Sequence, residues 1–227
     1  DPKTPQALLD LYPSLNLAGK RAVVSTLASR ASYGKALLDA VAAKRVPAAD
    51  LQSDTVRQLR NLNDKSLEQR IADVWGVVRT TPDERRAQIK SFASMLKRPK
   101  APPDASLGRA LHNKMCAKCH LLFGEGGKVG PDLTTADRKN RGYLVAQIVD
   151  PSGYIRPEYV VQNVATLDGR KLSGIVEPGG GDSVTLVNVV NDQPVKTVVA
   201  KGDIDTMTAS AVSLMPEKLL DTLTDAQ

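Results

Sequence analysis

The sequence predicts a protein of the α+β class that is mainly α-helical with a β insertion. Residues 1–98 carry apolar side chains at the three-to-four spacing of buried helical faces, as in the series that contain Leu27 and Leu37. Prolines within 99–104 interrupt this helical pattern. From about 157 to 205 the chain is rich in β-branched residues separated by turn signals. This pattern predicts a small antiparallel unit of about four or five strands.

The helical region at 1–98 is predicted to form one domain of short antiparallel helices. Thr81-Pro82-Asp83-Glu84 has the residue types that start a helix: a threonine cap, a proline and two acids in the first turn. A succession of such helices is typical of a helical-repeat stack, so we expect a HEAT-like domain, although the internal repetition is too weak to define a period. The segment 99–104 is then a linker, and 105–227 forms a second domain.

The composition and net charge of the chain argue against nucleic-acid binding and against a membrane span. The 227 residues carry a net charge of +6, and the basic residues are spread along the chain with few aromatics. Nucleic-acid binding is therefore not predicted; the basic residues are expected to be solvated surface, or a weak docking site for an acidic redox partner. No apolar run approaches the ~18 residues of a membrane span. The chain begins at Asp1 without a leader pattern, so we expect that a signal peptide has been removed or that the chain is part of a longer protein.

The two cysteines of the chain lie in one five-residue motif, Cys116-Ala117-Lys118-Cys119-His120. Cys-x-x-Cys-His is the attachment sequence of c-type haem. Its spacing puts both thiols on one edge of a helical turn, where they can add across the vinyl groups of the porphyrin. The adjacent imidazole of His120 then points toward the iron as the proximal ligand. The motif predicts one covalent haem c held by Cys116, Cys119 and His120.

Other chemistry fits the motif less well. A zinc ion needs ligands around a tetrahedron, whereas His112, Cys116, Cys119 and His120 would share one face of one helix. A thioredoxin-like pair lies at a helix N-terminus after a strand, whereas an amphipathic helical segment precedes these cysteines. A structural disulfide or a motif without haem also stays open.

A distal iron ligand is expected if the haem transfers electrons, because a filled coordination shell keeps oxygen and peroxide off the iron. Met215 is the predicted ligand, since Pro216 follows it in an unpatterned stretch where a rigid turn can hold the thioether toward the iron. Met115 is predicted to point to the core, and Met207 to be loop or core packing. His112 is expected at the helix surface or the haem edge rather than on the iron.

Two further expectations concern the surroundings of the haem. Gly130-Pro131-Asp132-Leu133 follows His120 closely. The second ring nitrogen of a proximal histidine needs an acceptor, and the backbone carbonyl of Pro131 is the predicted one, with an ordinary proline turn as the alternative. The β unit at about 157–205 contains no His, Cys or Met, so it is predicted to cover the haem edge or dock a neighbour without ligating the iron.

From about residue 108 onward the sequence resembles the haem-binding domain family of planctomycetes and verrucomicrobia. Members of this family lie at the C-terminus of large secreted proteins described as membrane-bound dehydrogenases. The helical region before the linker is similar to the repeat segment that often precedes this domain. The resembling blocks follow the family's order and are Gly108-Arg109-Ala110-Leu111, Cys116-Ala117-Lys118-Cys119-His120, Val129-Gly130-Pro131-Asp132-Leu133, Ile148-Val149-Asp150-Pro151-Ser152, Thr166-Leu167-Asp168-Gly169-Arg170 and Ser213-Leu214-Met215-Pro216-Glu217.

The resemblance implies a small cytochrome c fold with a β-rich segment inserted between its middle helix and its methionine loop. It also implies that the haem accepts electrons from an oxidation carried out elsewhere, often by a β-propeller domain that resembles sugar dehydrogenases. The chain departs from the family by stopping at Gln227, where a final helix is expected to pack on the attachment helix. His112 also replaces an aromatic residue that is often found there.

The sequence thus predicts a monohaem c-type cytochrome module that transfers electrons and is not an enzyme by itself. Its expected partner is a redox protein or a dehydrogenase domain. The family implies a periplasmic or otherwise extracytoplasmic location, because haem is joined to Cys-x-x-Cys-His outside the bacterial cytoplasm. One alternative is a five-coordinate haem peroxidase or sensor, and another is a protein-interaction module with a vestigial motif.

Overall fold

The computed structural model describes residues 1–99 and 102–224, and it has the mixed α and β structure predicted from the sequence. The chain divides into two compact units. The first comprises Asp1–Val78 together with Arg156–Glu158, and the second comprises Arg79–Ile155 and the chain from Tyr159 onward. Among the described residues, no helix is both long enough and apolar enough to cross a membrane.

The first unit is helical, as predicted for this part of the chain. The α3 helix packs against α1, α2 and α5, and the centre of the unit is made of fully buried leucines such as Leu27 and Leu37. The indole nitrogen of Trp75 donates a buried hydrogen bond of 3.0 Å to the carbonyl oxygen of Leu51. The helices are therefore present, while their HEAT-like arrangement stays a prediction. The elements are α1 (Thr4–Leu11), α2 (Leu17–Leu27), α3 (Ala31–Ala42), α4 (Ser53–Arg60), α5 (Lys65–Val74) and the short strand β1 (Val77–Val78).

The start of α5 is fixed by a carboxylate cap. Asp64 accepts hydrogen bonds from the backbone nitrogen of Ser66 at 2.9 Å and from its hydroxyl at 2.6 Å. The ammonium group of Lys35, on α3, lies 2.9 Å from the other carboxylate oxygen. Because a helix N-terminus presents unpaired N–H groups, this cap both satisfies the helix and joins it to α3.

The second unit holds three further helices and the remaining strands of the described chain. The α7 helix (Ala105–Met115) is capped by Asp104, whose carboxylate accepts hydrogen bonds from the backbone nitrogens of Ser106 at 2.9 Å and Leu107 at 3.0 Å. A short hairpin of β2 and β3 follows the cysteine motif directly. The elements are α6 (Asp83–Lys97), α7 (Ala105–Met115), β2 (Leu121–Leu122), β3 (Glu125–Gly126), α8 (Arg141–Val149), β4 (Tyr154–Ile155), β5 (Val161–Thr166), β6 (Lys171–Val176), β7 (Ser183–Val190), β8 (Gln193–Ala200) and β9 (Ile204–Ala209).

The first unit ends earlier than the boundary predicted at 99–104. It ends at Val78, and α6 belongs to the second unit, where it packs against α8. The apolar residues Ile89 and Phe92 of α6 are half-buried in this unit. Helical periodicity predicts that a face is buried but not which neighbour covers it, so the packing of α6 against α8 could not be predicted from the sequence. Lys100 and Ala101 of the predicted linker lie outside the described residues.

The predicted β unit is an antiparallel sheet that extends beyond residue 205. Within the described chain it has five strands in the order β8-β7-β6-β5-β9, with Val164, Val184 and Leu186 in its buried core. The last strand, β9, continues to Ala209 and therefore includes Met207, which lies opposite Val164 and is 48% exposed. The prediction of Met207 as loop or core packing is wrong. The alternation of apolar residues in β9 is weak, and its strand state follows from pairing with the distant β5 rather than from its own pattern.

Candidate functional site

The cysteine motif forms a tight turn at the end of α7. The backbone nitrogen of His120 donates to the carbonyl oxygen of Cys116 at 2.9 Å, and that of Cys119 donates to the same oxygen at 3.1 Å. Both cysteines are free thiols and are half-buried. The turn thus holds the two sulfur atoms and the imidazole within one short, hydrogen-bonded segment.

The imidazole of His120 is oriented by the backbone carbonyl of Pro131. Its Nδ1 lies 2.8 Å from that oxygen. A carbonyl oxygen can only accept, so Nδ1 carries the proton, and the neutral ring keeps the lone pair of Nε2 for another partner. Burial lowers the pKa of His120; the hydrogen bond to Pro131 opposes this shift, and nearby His112 adds to it. The hydrogen bond predicted from the sequence is present, and the neutral tautomer it selects is the one that ligates metals.

The glycine-rich segment after the motif is packed closely around it. The backbone nitrogens of Gly127 and Gly130 donate to the carbonyl oxygens of Ala117 and Cys119, each at 2.8 Å. A Cβ atom on Gly130 would lie 2.6 Å from Cε1 of His120, and one on Gly127 would lie 2.3 Å from the carbonyl oxygen of Lys118. Contacts this short exclude a side chain at either position. The loop therefore packs directly against the imidazole of His120 and the backbone of the motif.

A cleft in the second unit brings the predicted site residues together. The cleft is partly open to solvent. Cys116, Cys119, His120, Pro131 and Met215 all line it. The other lining residues are mainly apolar and come from the glycine-rich loop, the sheet and the segment after β9: Met115, Val129, Gly130, Tyr159, Ile175, Ser213, Leu214, Pro216 and Leu219.

Several lining residues were not predicted from the sequence. Tyr159 and Ile175 come from the β unit, which reaches the cleft through strand β6 and the turn before β5. Met115, predicted to point to the core, is half-buried and faces the cleft. The Nε2 atom of His112 is buried without a hydrogen-bond partner among the described residues. No local sequence signal marks these positions, because each depends on which strand or helix comes to lie beside the motif.

The thiols lie in surroundings that favour their neutral form. Burial raises the pKa of Cys116, and the neighbouring Cys119 adds to the shift. Burial also raises the pKa of Cys119; Asp192 adds to the increase and Lys118 reduces it. Redox-active Cys-x-x-Cys pairs have a lowered thiol pKa, so this arrangement differs from theirs.

The turn between β7 and β8 reaches the motif through an ion pair. The ammonium group of Lys118 lies 2.5 Å from a carboxylate oxygen of Asp192. Asn191 and Asp192 have φ values of 50° and 62°, which is the geometry of a type I′ hairpin turn. The sheet therefore touches the motif on its exposed side as well as lining the cleft.

Within residues 1–99 and 102–224, no group of three or more His, Cys, Asp or Glu side chains lies close enough together to hold a metal ion.

A comparison of the chain with protein-family models gave no match, and a comparison with curated proteins gave none.

Proposed function

We propose that the chain is a monohaem c-type cytochrome module whose task is electron transfer. The observation that carries the proposal is the cleft of the second unit, which is lined by Cys116, Cys119, His120 and Met215. The finer fold assignment, a HEAT-like helical domain followed by a cytochrome c-like domain with an inserted sheet, belongs to the same proposal.

The donor groups of the cleft fit haem c. A porphyrin already supplies four nitrogen ligands, so the protein needs to add only axial ones, and His with Met is the pair found in cytochromes c. His120 has its Nδ1 committed to Pro131, which leaves Nε2 for an iron atom. The wall is mainly apolar, with Val129, Ile175 and Leu214 among its residues, as a planar apolar ring requires.

Each residue has a separate task in this proposal. Cys116 and Cys119 would hold the group covalently, with the S–H of each thiol adding across one vinyl group to form a thioether bond. His120 supplies the proximal nitrogen in the tautomer that Pro131 selects. Met215 would supply the second protein ligand of the iron, and Tyr159 and Ile175 would help to exclude water from the cleft. When bound, the haem iron gains and loses one electron.

The partner and the location are inferred from the resemblance. The electron donor is proposed to be a dehydrogenase protein or domain, and the location is periplasmic or otherwise extracytoplasmic. Beside the motif, Asp192 is paired with Lys118 and Glu125 with Arg109.

The decisive experiment is to produce the full chain together with a haem-ligation system and to analyse it by denaturing gel electrophoresis and mass spectrometry. We expect the chain to keep haem through denaturation and to gain the mass of one haem. Cys116→Ala and Cys119→Ala should each leave one thioether bond and change the visible spectrum of the reduced form, and the double variant should lose the covalent haem. Met207→Ala is the matched control and should keep it. A chain that loses all colour on denaturation would refute the proposal.

A further inference from the structure

A chain of alternating charges in the second unit ends beside the methionine loop. Glu217 follows Met215 by two positions. Its carboxylate lies 2.7 Å from the guanidinium group of Arg85 and 3.7 Å from that of Arg79. Arg79 in turn lies 2.6 Å from the carboxylate of Asp150, at the end of α8.

The burial of this chain distinguishes it from ordinary surface ion pairs. The side chain of Arg85 is 11% exposed and that of Asp150 is 2% exposed, whereas Glu217 is 41% exposed. Exposed ion pairs contribute little to stability, but removing one partner of a buried pair leaves a charge without compensation. Glu217 is therefore the most exposed member of a network that also contains the nearly inaccessible carboxylate of Asp150.

The other end of the methionine loop is held as well. The backbone nitrogen of Ser213 donates to the hydroxyl of Ser152 at 3.1 Å, and that of Met215 donates to the hydroxyl of Ser213 at 3.1 Å. The segment from 213 to 217 has no helix or strand of its own. It is thus fixed at its start by the turn after α8 and at its end by α6, with Met215 between the two anchors.

We propose that Arg85, assisted by Arg79, is a positioning residue that holds the Met215 loop through Glu217. The inference rests on the proposed function, since the loop matters because Met215 faces the cleft. A thioether is a weak iron ligand. If the loop became ordered only when the haem bound, the entropy cost of ordering it would lower the affinity of Met215 for the iron. Anchors formed before the haem arrives keep Met215 at the cleft.

The two arginines are not equivalent in this arrangement. Arg79 is closer to Asp150 than to Glu217, so replacing Arg79 would leave a nearly inaccessible carboxylate unpaired and disturb the whole unit. Arg85 has Glu217 as its carboxylate partner and also donates to the side chain of Gln88 at 3.0 Å. The Arg85–Glu217 pair is therefore the place to test the proposal.

The test compares Arg85→Gln, Glu217→Gln and the double variant with Arg86→Gln. Arg86 is the next residue of α6, is exposed and pairs with Asp83, so it is a matched control. In the haem-free chain, hydrogen exchange at the amides of Ser213 and Met215 should become about tenfold faster in both single variants, as expected for the loss of a charge-assisted hydrogen bond. In the double variant these amides should exchange no faster than in the single variants, because each single substitution already removes the Arg85–Glu217 interaction.

In the haem-loaded chain, the same variants should bind cyanide faster and show less thioether-ligated iron than the Arg86→Gln control. If Arg85→Gln does not fold, Glu217→Gln carries the test, since that side chain is 41% exposed. Exchange and cyanide binding as slow as in the control would overturn the positioning role while leaving Met215 as ligand. A wild-type chain that acquires no haem would instead refute the proposed function, and the exchange measurement would still decide whether the anchor exists.

Discussion

Nδ1 of His120 lies 2.8 Å from the carbonyl oxygen of Pro131, and the preceding residue, Gly130, lies against the same imidazole ring. Two consecutive residues of one loop thus fix both the tautomer and the position of the ring. The loop itself is tied to the motif by the hydrogen bond from Gly130 to Cys119. The proximal side of the proposed haem site is therefore organised by local contacts within a short stretch of chain.

This packing predicts that Gly130→Ala is harmful. The added methyl group would lie 2.6 Å from Cε1 of His120, so the ring or the loop must move. Overpacking of this kind costs about 1–3 kcal/mol. We expect a lower thermal midpoint of the haem-free chain and a lower yield of covalent haem. Gly108→Ala is the control, because a Cβ atom there meets nothing within 4 Å. Alanine in helix α7 should raise the free energy of unfolding by about 0.5–1 kcal/mol. Equal behaviour of the two variants would contradict the packing argument.

The distal side gives a prediction about Met215. Met215→Ala should open the distal position, lower the reduction potential and allow carbon monoxide or cyanide to bind quickly, because a filled coordination shell slows such ligands. Absorption spectroscopy and potentiometry of the haem-loaded chain measure these effects. Met207→Ala should leave both nearly unchanged, since Met207 lies in strand β9 and is 48% exposed.

The two methionine variants also discriminate between the alternatives. Thioether ligation that survives Met215→Ala and disappears with Met207→Ala would transfer the role to Met207. Low-spin iron in both variants would make His112 the next residue to substitute, since its Nε2 atom is buried without a partner in the described structure. A high-spin wild-type chain would favour a five-coordinate peroxidase or sensor.

The core of the first unit predicts a large stability effect of a single truncation. Leu37 is 0% exposed, and Leu37→Ala should lower the free energy of unfolding by about 2–5 kcal/mol through lost burial and the remaining cavity. Leu17→Ala is the matched control, since Leu17 is 55% exposed and its truncation should change stability by less than about 0.5 kcal/mol. Urea unfolding followed by circular dichroism measures both. A small effect at Leu37 would contradict the described core.

The cap of α5 predicts a pH dependence in the acid range. Hydrogen bonds from Ser66, together with Lys35, lower the pKa of Asp64 to about 2. In the unfolded chain an aspartate has a pKa of about 3.9. The cap therefore stabilises the fold fully above that pH, and its contribution is lost as the pH falls toward about 2. The stability difference between wild type and Asp64→Asn should therefore shrink over this range.

A titration of the Asp64 carboxyl by nuclear magnetic resonance checks these causes. Ser66→Ala and Lys35→Gln should each raise the pKa of Asp64, because the hydrogen bond from the Ser66 hydroxyl and the contact with Lys35 both lower it. An unchanged pKa in either variant would contradict the contribution of that residue.

The parts of the structure that the sequence predicted are those specified by nearby residues. The short helices of 1–78 follow from apolar periodicity. The hydrogen bond from His120 to Pro131 joins residues only eleven positions apart. In each case the interacting groups are close along the chain, so few alternative arrangements compete.

The errors lie where distant segments meet. Strand β9 was cut short because its pairing partner β5 is about forty residues away, and a weakly patterned strand is specified by its neighbour. The packing of α6 against α8 in the second unit likewise joins segments that are distant along the chain. Prolines indicate where a helix ends, but they do not indicate which hydrophobic core the helices before and after them join.

The sequence by itself determined the motif Cys116-Ala117-Lys118-Cys119-His120, the tautomer-selecting carbonyl of Pro131 and the candidate thioether of Met215, because residue type and spacing define this chemistry. Only the tertiary structure decided that Tyr159 and Ile175 complete the cleft and that Glu217 reaches Arg85, a residue 132 positions earlier in the chain. The physical reason is that burial and ion pairing between remote segments depend on the complete packing of helices and strands, which no local pattern contains.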